Sequence, residues 1–489
     1  LTASGRAFYI VNEMPVLDIN YKFEYAPFDG TNETLLMGPQ KNKEKNGLAN
    51  IDLTYEIDSM RLLNVNWNYN KGKGSYGIRN GYVTDMRDCI LKNSLRFGQP
   101  SEWAWISNEF NVNYERKLNR NHVLIMSFRG YLSPNNSSQD QMDYWDIKYA
   151  DTLPLNYYGY VSRSDKKSNE YMGQIDYIGS LGSHHTLEAG GKYTMRVNES
   201  ASLTTYTREV EPLPTDSIET SSLENEQNIL ALYSSYALKL SKFSAKLGLR
   251  IENNKFDATS VHSENVTPFS YNFTDVVPSV FLSYNVKPTQ TFKISYNMRI
   301  MRPGISYLNP YHTNVSPFEV QYGNVELESE NHHSLQLSYS NFAQLAMVNA
   351  SLLYNFCDNT IINHRFVNNE GVLESTYGNY GERKQVRLSL YGNFTFTKST
   401  SMFMSAALGY TRIKSVKLGE ETDGFEPNIY VSLNQRLPLN VQANLYGAYQ
   451  GKNVQLQGEG FDVVVHGMSL SKSLVNERLN ITLSSQNFF

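Results

Sequence analysis

Along this chain apolar and polar side chains trade places at every second position, segment after segment. From Ser244 to Glu252, Ala245, Leu247, Leu249 and Ile251 fall on one side, while Ser244, Lys246, Gly248, Arg250 and Glu252 fall on the other. Thr291 to Met301 repeats the pattern, with Phe292, Ile294, Tyr296, Met298 and Ile300 alternating with Lys293, Ser295, Asn297 and Arg299. Leu230, Leu232, Tyr236, Leu238 and Leu240 keep the period, as do Leu479, Ile481 and Leu483 near the end. A period of two is the geometry of a β-strand, whose successive side chains point to opposite faces. Segments of about ten residues with one apolar face and all the charge on the other are what a membrane β-barrel needs, with lipid outside and a polar lumen inside. No segment reads as a helix, and no run approaches the roughly 18 apolar residues of a spanning helix.

Short and long connections take turns between these segments, as they do when one rim faces the periplasm and the other the exterior. The short turns are expected at Ile57 to Met60, Leu118 to Asn121, Leu181 to His185, Ser241 to Phe243, Lys287 to Gln290, Lys398 to Thr400, Arg436 to Asn440 and Leu474 to Glu477. Long extracellular loops rich in Asn, Ser, Gly and acidic residues are expected at Gly72 to Glu102, Ser133 to Asp165, Ala201 to Glu226 and Pro303 to Asn331. Pairing strands across the short turns predicts about ten hairpins, hence about twenty strands, within one all-β, large antiparallel transmembrane β-barrel. Read this way, the chain starts with a descending strand and stops after an ascending one, leaving both ends on the outer rim. Adding one strand at each end gives about 22 in an intact protein. A lumen of that width is normally plugged, and no plug sequence is present. Residues 1–489 therefore read as a single barrel domain, a fragment whose N-terminal plug is missing.

Composition narrows the picture. The 489 residues are 13% aromatic, with 35 Tyr and 23 Phe, and no linker divides them. The negative mean hydropathy is too polar for a bundle of membrane helices. With 44 basic and 48 acidic residues the net charge is −4, which excludes a nucleic-acid partner held by phosphate neutralisation. Cys89 and Cys357 are too few for a disulfide scaffold, and whether they pair is open.

Residues Val277 to Tyr339 carry more specific pieces. These are Val277-Pro278-Ser279, the strand Phe292 to Arg299, Arg302-Pro303, Leu308-Asn309-Pro310, Gly323-Asn324-Val325 with Leu327, and Glu330 ahead of the strand at Leu335. With Gly248-Leu249-Arg250 and Glu252, this stretch resembles the C-terminal barrel of TonB-dependent outer-membrane transporters, most closely the Bacteroidota type. The resemblance implies a 22-stranded barrel in the Gram-negative outer membrane, an N-terminal plug, and a TonB box that recruits the inner-membrane TonB complex. It also implies outer-membrane lipid around the wall and a small or oligomeric ligand of unknown identity at the mouth. A surface lipoprotein cap is left open.

Arg302, Pro303, Leu308, Asn309, Pro310, Gly323 and Asn324 also have a physical reading of their own. Pro303 ends a ladder by removing a donor, and Gly304, Pro310 and Gly323 shape a fixed rim loop. Tyr307, Tyr311, His312 and Tyr322 would offer that loop's flat faces and hydrogen bonds to a ligand, although a fold-specifying role is favoured. His184-His185 and His332-His333 are adjacent pairs, so neither turns two imidazoles toward one ion. Glu326, Glu328 and Glu330 would share a face if extended, more readily as a solvated acidic rim than as a calcium site. Gly72-Lys73-Gly74-Ser75 lacks phosphate-loop spacing and reads as a flexible loop. Lys246, Arg250, Glu252, Lys293 and Arg299 read as lumen-facing. No catalytic set, metal site or cofactor is expected, so the chain reads as a transporter and not an enzyme. The leading function is TonB-coupled import of a scarce or bulky nutrient. The alternatives are a plugless porin-like diffusion channel and, more remotely, a secreted soluble β-protein.

Overall fold

A computed structural model describes residues 1–13, 17–25, 32–87, 90–148, 159–207, 217–262, 265–316, 319–343, 345–368, 373–457, 460–474 and 479–487. All the strands join one sheet. In chain order the first are β1 (Thr2–Glu13), β2 (Leu17–Tyr25), β3 (Asn32–Asp58), β4 (Arg61–Arg87), β5 (Ile90–Asn119), β6 (His122–Lys148), β7 (Gly159–Ser180) and β8 (His185–Thr207). Next come β9 (Ser217–Lys239), β10 (Phe243–His262), β11 (Asn265–Lys287), β12 (Gln290–Met301), the single-turn helix α1 (Ile305–Leu308), β13 (Thr313–Ser316), β14 (Glu319–Gln321) and β15 (Glu330–Phe342). The rest are β16 (Ala346–Val367), β17 (Leu373–Thr395), β18 (Thr400–Ser415), β19 (Glu420–Leu437), β20 (Val441–Gln450), β21 (Val463–Leu474) and β22 (Leu479–Gln486).

Wall neighbours are antiparallel throughout. β1 and β2 both pair with β3, at successive stretches, and so occupy one wall position. β13 and β14 belong to the loop between β12 and β15. Nineteen wall positions therefore remain among the described residues of the 22-stranded sheet, close to the twenty read from the sequence. Thr2 lies opposite Thr54, beside the short β3–β4 turn, so the first strand ascends from the short-turn rim. This corrects the expected descending start. Among the described residues no ladder joins β1 to β22, and both strands are exposed along their length.

The short turns fall where expected, apart from 475–478, which lie outside the described residues. Polar side chains close several of them: Asp58 accepts from Met60 N at 2.8 Å and Asn119 from Asn121 N at 2.8 Å. One more short turn joins β15 to β16, with Ala343 and Ala346 exchanging backbone bonds at 3.2 Å. It carries none of the Gly, Pro, Asn or Asp that mark a turn, which is why the sequence concealed it.

Register turns the alternation into belts, because directly opposed residues of antiparallel strands share a face. One aliphatic row runs Leu238, Ala245, Leu282, Ile294, Leu337, Leu352, Leu388 and Leu408. Toward the short turns an aromatic row of Phe243, Tyr284, Phe292 and Tyr339 borders it. On the other side lies a row with Tyr236, Tyr296, Tyr354, Tyr410 and Phe425. An aliphatic band between aromatic rows is the lipid-facing surface of an outer-membrane barrel. The opposite face carries Ser235, Gly248, Ser279, Asn297, Ser334, Asn355, Gln385 and Thr411 in register, and this face lines the lumen.

Three of the four long loops expected from the sequence are largely strand. β4 and β5 cover most of 72–102, β6 and β7 flank 149–158, and β8 and β9 flank 208–216. Crossing the membrane takes about 9–11 residues, so strands of 20–30 residues rise far beyond the bilayer. Above it both faces of the sheet meet water or polar neighbours, and the hydrophobic alternation that reveals a strand disappears. In β10 the pattern inverts: Leu247, Leu249 and Ile251 are exposed to lipid, whereas above them Phe256 and Ala258 are buried on the inner face while Lys255 and Asp257 are exposed. Residues 72–75 likewise lie in β4 and not in a loop. Gly72 and Gly74 pass beneath the rings of Trp105 and Trp103, where a Cβ would collide.

Candidate functional site

β12 and β15 are only 12 and 13 residues long, whereas their flanking neighbours β11 and β16 have 23 and 22. The wall therefore has a notch above β12 and β15, and the segment between them, 302–329, folds into it. Leu308 is 0% exposed and Leu327 3%, packed with Phe256 and Ala258 and bordered by Phe269, Tyr271, Ile361 and Tyr377. Phe256 and Ala258 lie on the inner face of β10, so the loop docks inward against both flanking hairpins.

The motif residues meet in this loop. Gly323 N donates to Asn309 O and Asn324 N to Tyr307 O, both at 2.7 Å, which binds the loop's two halves together. A Cβ on Gly323 would stand 2.5 Å from Tyr307 O and 2.6 Å from Asn309 O, so only glycine fits. Asn309 Oδ1 accepts from Tyr311 N at 3.2 Å, immediately past Pro310, and Asn324 Nδ2 donates to Tyr377 O at 3.0 Å. Pro303 is buried where β12 ends, and Arg302 and Arg250 both bond the Glu252 carboxylate, whose side chain is 7% exposed. Tyr322 N donates to Ser375 O at 3.0 Å, extending the parallel pairing of β14 with β17.

Among the loop's described residues Tyr307, Tyr311, His312 and Tyr322 each pair with another ring, Tyr307 and the His312–Tyr322 pair stacked and Tyr311 tilted. Tyr307 lies 4.4 Å from Tyr377, His312 4.3 Å from Tyr322, and Tyr311 4.4 Å from His262. Tyr311 donates its hydroxyl to Glu219 at 2.9 Å, and Tyr322 donates to Glu374 at 2.9 Å. Burial first, and then the Glu374 carboxylate, push the Tyr322 phenol up to about 12. Burial, with Tyr206 and Glu219 behind it, holds Tyr311 well above the ordinary tyrosine range.

Glu326, Glu328 and Glu330 do not form the expected acidic rim. The chain turns at Val325–Glu326 instead of extending, leaving Glu326 and Glu328 exposed while Glu330 is buried. The histidine pairs split as strand geometry requires. His333 stacks on Phe356 at 4.5 Å, while His332 turns its Nε2 to Glu330 Oε2 at 2.8 Å. His184 bonds the Lys239 carbonyl and His185 the Tyr236 hydroxyl. Cys357 is a free, buried thiol, and it brings its sulfur to Glu330 and His332, the donor atoms of all three lying within 4.8 Å of one another. Sequence spacing alone does not assemble this trio, because its members lie on two strands. The spacing of Glu330 and His332, two apart on one strand face, was the available signal; Cys357 arrives by strand pairing. Cys89 lies outside the described residues. On the inner face Lys246 reaches Glu188 at 2.6 Å, and Lys293 and Arg299 are exposed.

A tall antiparallel wall with an aliphatic belt, aromatic borders and a polar interior defines the class: a large β-barrel of the Gram-negative outer membrane. The chain belongs to the outer membrane protein beta-barrel family, whose profile matches residues 117–489. No curated protein matches it in sequence. Among solved structures it is similar to the copper transporter OprC, with a TM-score of 0.64 at 11% identity, covering 100% of this chain and 74% of that one. It is also similar to the ferric-catecholate import receptor Fiu of E. coli K12, with a TM-score of 0.60 at 12% identity, covering 99% and 76%. The ferripyoverdine receptor of the Pseudomonas aeruginosa outer membrane matches with a TM-score of 0.59 at 12% identity, over 99% and 67%. At such identities the likeness is one of fold.

Proposed function

We propose that residues 1–489 form the barrel of a TonB-dependent outer-membrane receptor that imports a nutrient too bulky or too scarce for diffusion pores. The observation that carries this reading is the loop 302–329. It is folded inward through the notch above β12 and β15, pinned by Leu308 and Leu327, and it brings Tyr307, Tyr311, His312 and Tyr322 to the mouth. A passive pore gains nothing from aromatic rings held in place at its mouth, whereas a receptor requires preorganised contacts. The similar barrels are, by their names, receptors and a transporter for iron chelates and copper. In this reading Arg302, Pro303, Leu308, Asn309, Pro310, Gly323 and Asn324 hold the loop's shape, and the rings beside them meet cargo. Import makes and breaks no bond in the cargo, so no catalytic group is required of the wall. The TonB complex and a plug complete the proposal. Single-channel recording of the native protein, purified from its host and placed in planar bilayers, tests it. A receptor stays closed; steady conductance would make the protein a porin-like diffusion channel and overturn the reading.

A further inference from the structure

Glu330, His332 and Cys357 form a group that the wall's architecture does not require. Glu330 and His332 sit two apart on β15 and share its inner face, and Cys357 lies on the inner face of the adjacent β16. Their carboxylate oxygen, imidazole nitrogen and sulfur all lie within 4.8 Å of one another. In a closed tetrahedral site, metal–ligand bonds of about 2.0–2.3 Å bring donor atoms somewhat nearer than that, so small side-chain adjustments suffice.

The surroundings hold the donors in place. Ile361 N donates to Glu330 Oε1 at 2.5 Å, which leaves Oε2 facing His332 Nε2. That amide is available because β16 slips register between Cys357 and Ile361, a bulge of the kind that re-aims groups beside a site. Asn359, within the bulge, accepts from Cys357 Sγ at 3.6 Å and donates to Ser329 O at 2.6 Å, tying the thiol's strand to the base of the loop. Cys357 is 1% exposed and Glu330 6%, while the His332 side chain is 39% exposed, so an ion can arrive from the lumen past the imidazole.

We propose that Glu330, His332 and Cys357 bind a divalent transition-metal ion of the zinc class. One sulfur, one nitrogen and one oxygen donor suit such an ion better than magnesium or calcium, which prefer oxygen alone. Three protein ligands leave a fourth position, which opens to the lumen. On binding, the thiol proton of Cys357 passes to solvent, while the neutral imidazole of His332 carries its one proton on Nδ1, so that Nε2 and Glu330 Oε2 turn lone pairs to the ion in place of their hydrogen bond. The site lies under the loop 302–329, so the bound ion would clamp the loop's C-terminal end to β16.

The test uses the native protein in detergent, reduced and stripped of metal, with Cys89→Ser as the background so that Cys357 is the one thiol within residues 1–489. Zn2+ is titrated calorimetrically in two buffers of different ionisation enthalpy, and Co2+ is followed by absorption. One equivalent of Zn2+ should bind with release of a proton, and Co2+ should develop a thiolate charge-transfer band. Adding Cys357→Ser should abolish the band, and His332→Gln should weaken Zn2+ binding by at least about tenfold, with heat-modifiable migration confirming that each variant is folded. No Zn2+ uptake by the folded parent, or uptake unchanged by Cys357→Ser and His332→Gln, overturns the proposal.

Discussion

Gly323 shows most sharply how one residue governs the mouth. Its amide joins the two halves of the loop, and the space a side chain would need is occupied by the backbone of Tyr307 and Asn309. Backbone atoms cannot rotate aside as a flexible side chain can, so Gly323→Ala should destabilise the docked loop by about 1–3 kcal/mol. Limited proteolysis would report this as faster cleavage within 302–329 while the barrel keeps its heat-modifiable migration; unchanged cleavage would show that the loop yields without cost. The identity of this glycine stood out in the sequence, as did Pro303 and Asn309. The atoms that demand it did not, because Tyr307 and Asn309 meet Gly323 only once the loop has folded back on itself.

At the scale of elements, the loop is held to its neighbours partly by phenols that must stay protonated. The folded state raises the Tyr322 phenol from 10.0 to about 12. The contribution of its hydrogen bond to Glu374 is therefore complete below pH 10 and is lost as pH rises through about 12. Protease susceptibility of the loop should climb over that window, and Tyr322→Phe should remove the part of the rise that Tyr322 causes. In the strands, register fixes a different contrast. Leu337 lies in the central aliphatic row with lipid on its side, and Asn297 points to the lumen. Leu337→Arg should cost about 2–4 kcal/mol in urea-dependent folding into vesicles, while Asn297→Lys should change little. A larger cost for Asn297→Lys than for Leu337→Arg would mean that the two faces are assigned the wrong way round. The apolar stripes of these strands were legible in the sequence. Their extracellular extensions were not, since a polar strand wetted on both faces has the composition of a loop.

Across the whole molecule, the inner wall is joined by polar side chains that span many strands. Arg129 forms ion pairs with Glu109 at 2.8 Å and with Glu170 at 3.6 Å; Arg196 bonds Glu170 at 2.5 Å and Gln227 at 3.2 Å; Gln227 donates to Asn254 at 2.9 Å. This ladder links β5 to β10 through the lumen surface. Arg196→Met removes its central donor and should lower stability by about 1–3 kcal/mol. Adding Glu170→Gln should restore part of that loss, because Glu170 then no longer carries a charge without its main partner. Urea titration of Arg196→Met, Glu170→Gln and the double variant measures both effects, and a double variant with the sum of the two single losses would show that the pair is not coupled.

Taken alone, the sequence determined the class of fold, the lipid-facing positions and most of the short turns. Each of these follows from local alternation against two solvents, hydrocarbon on one side of a strand and water on the other. The direction of the first strand, the height of the wall above the membrane, the inward fold of 302–329 and the meeting of Glu330 and His332 with Cys357 were decided only by tertiary structure. They depend on which strands pair and in what register, and a shift of one residue would turn every one of those side chains to the other face.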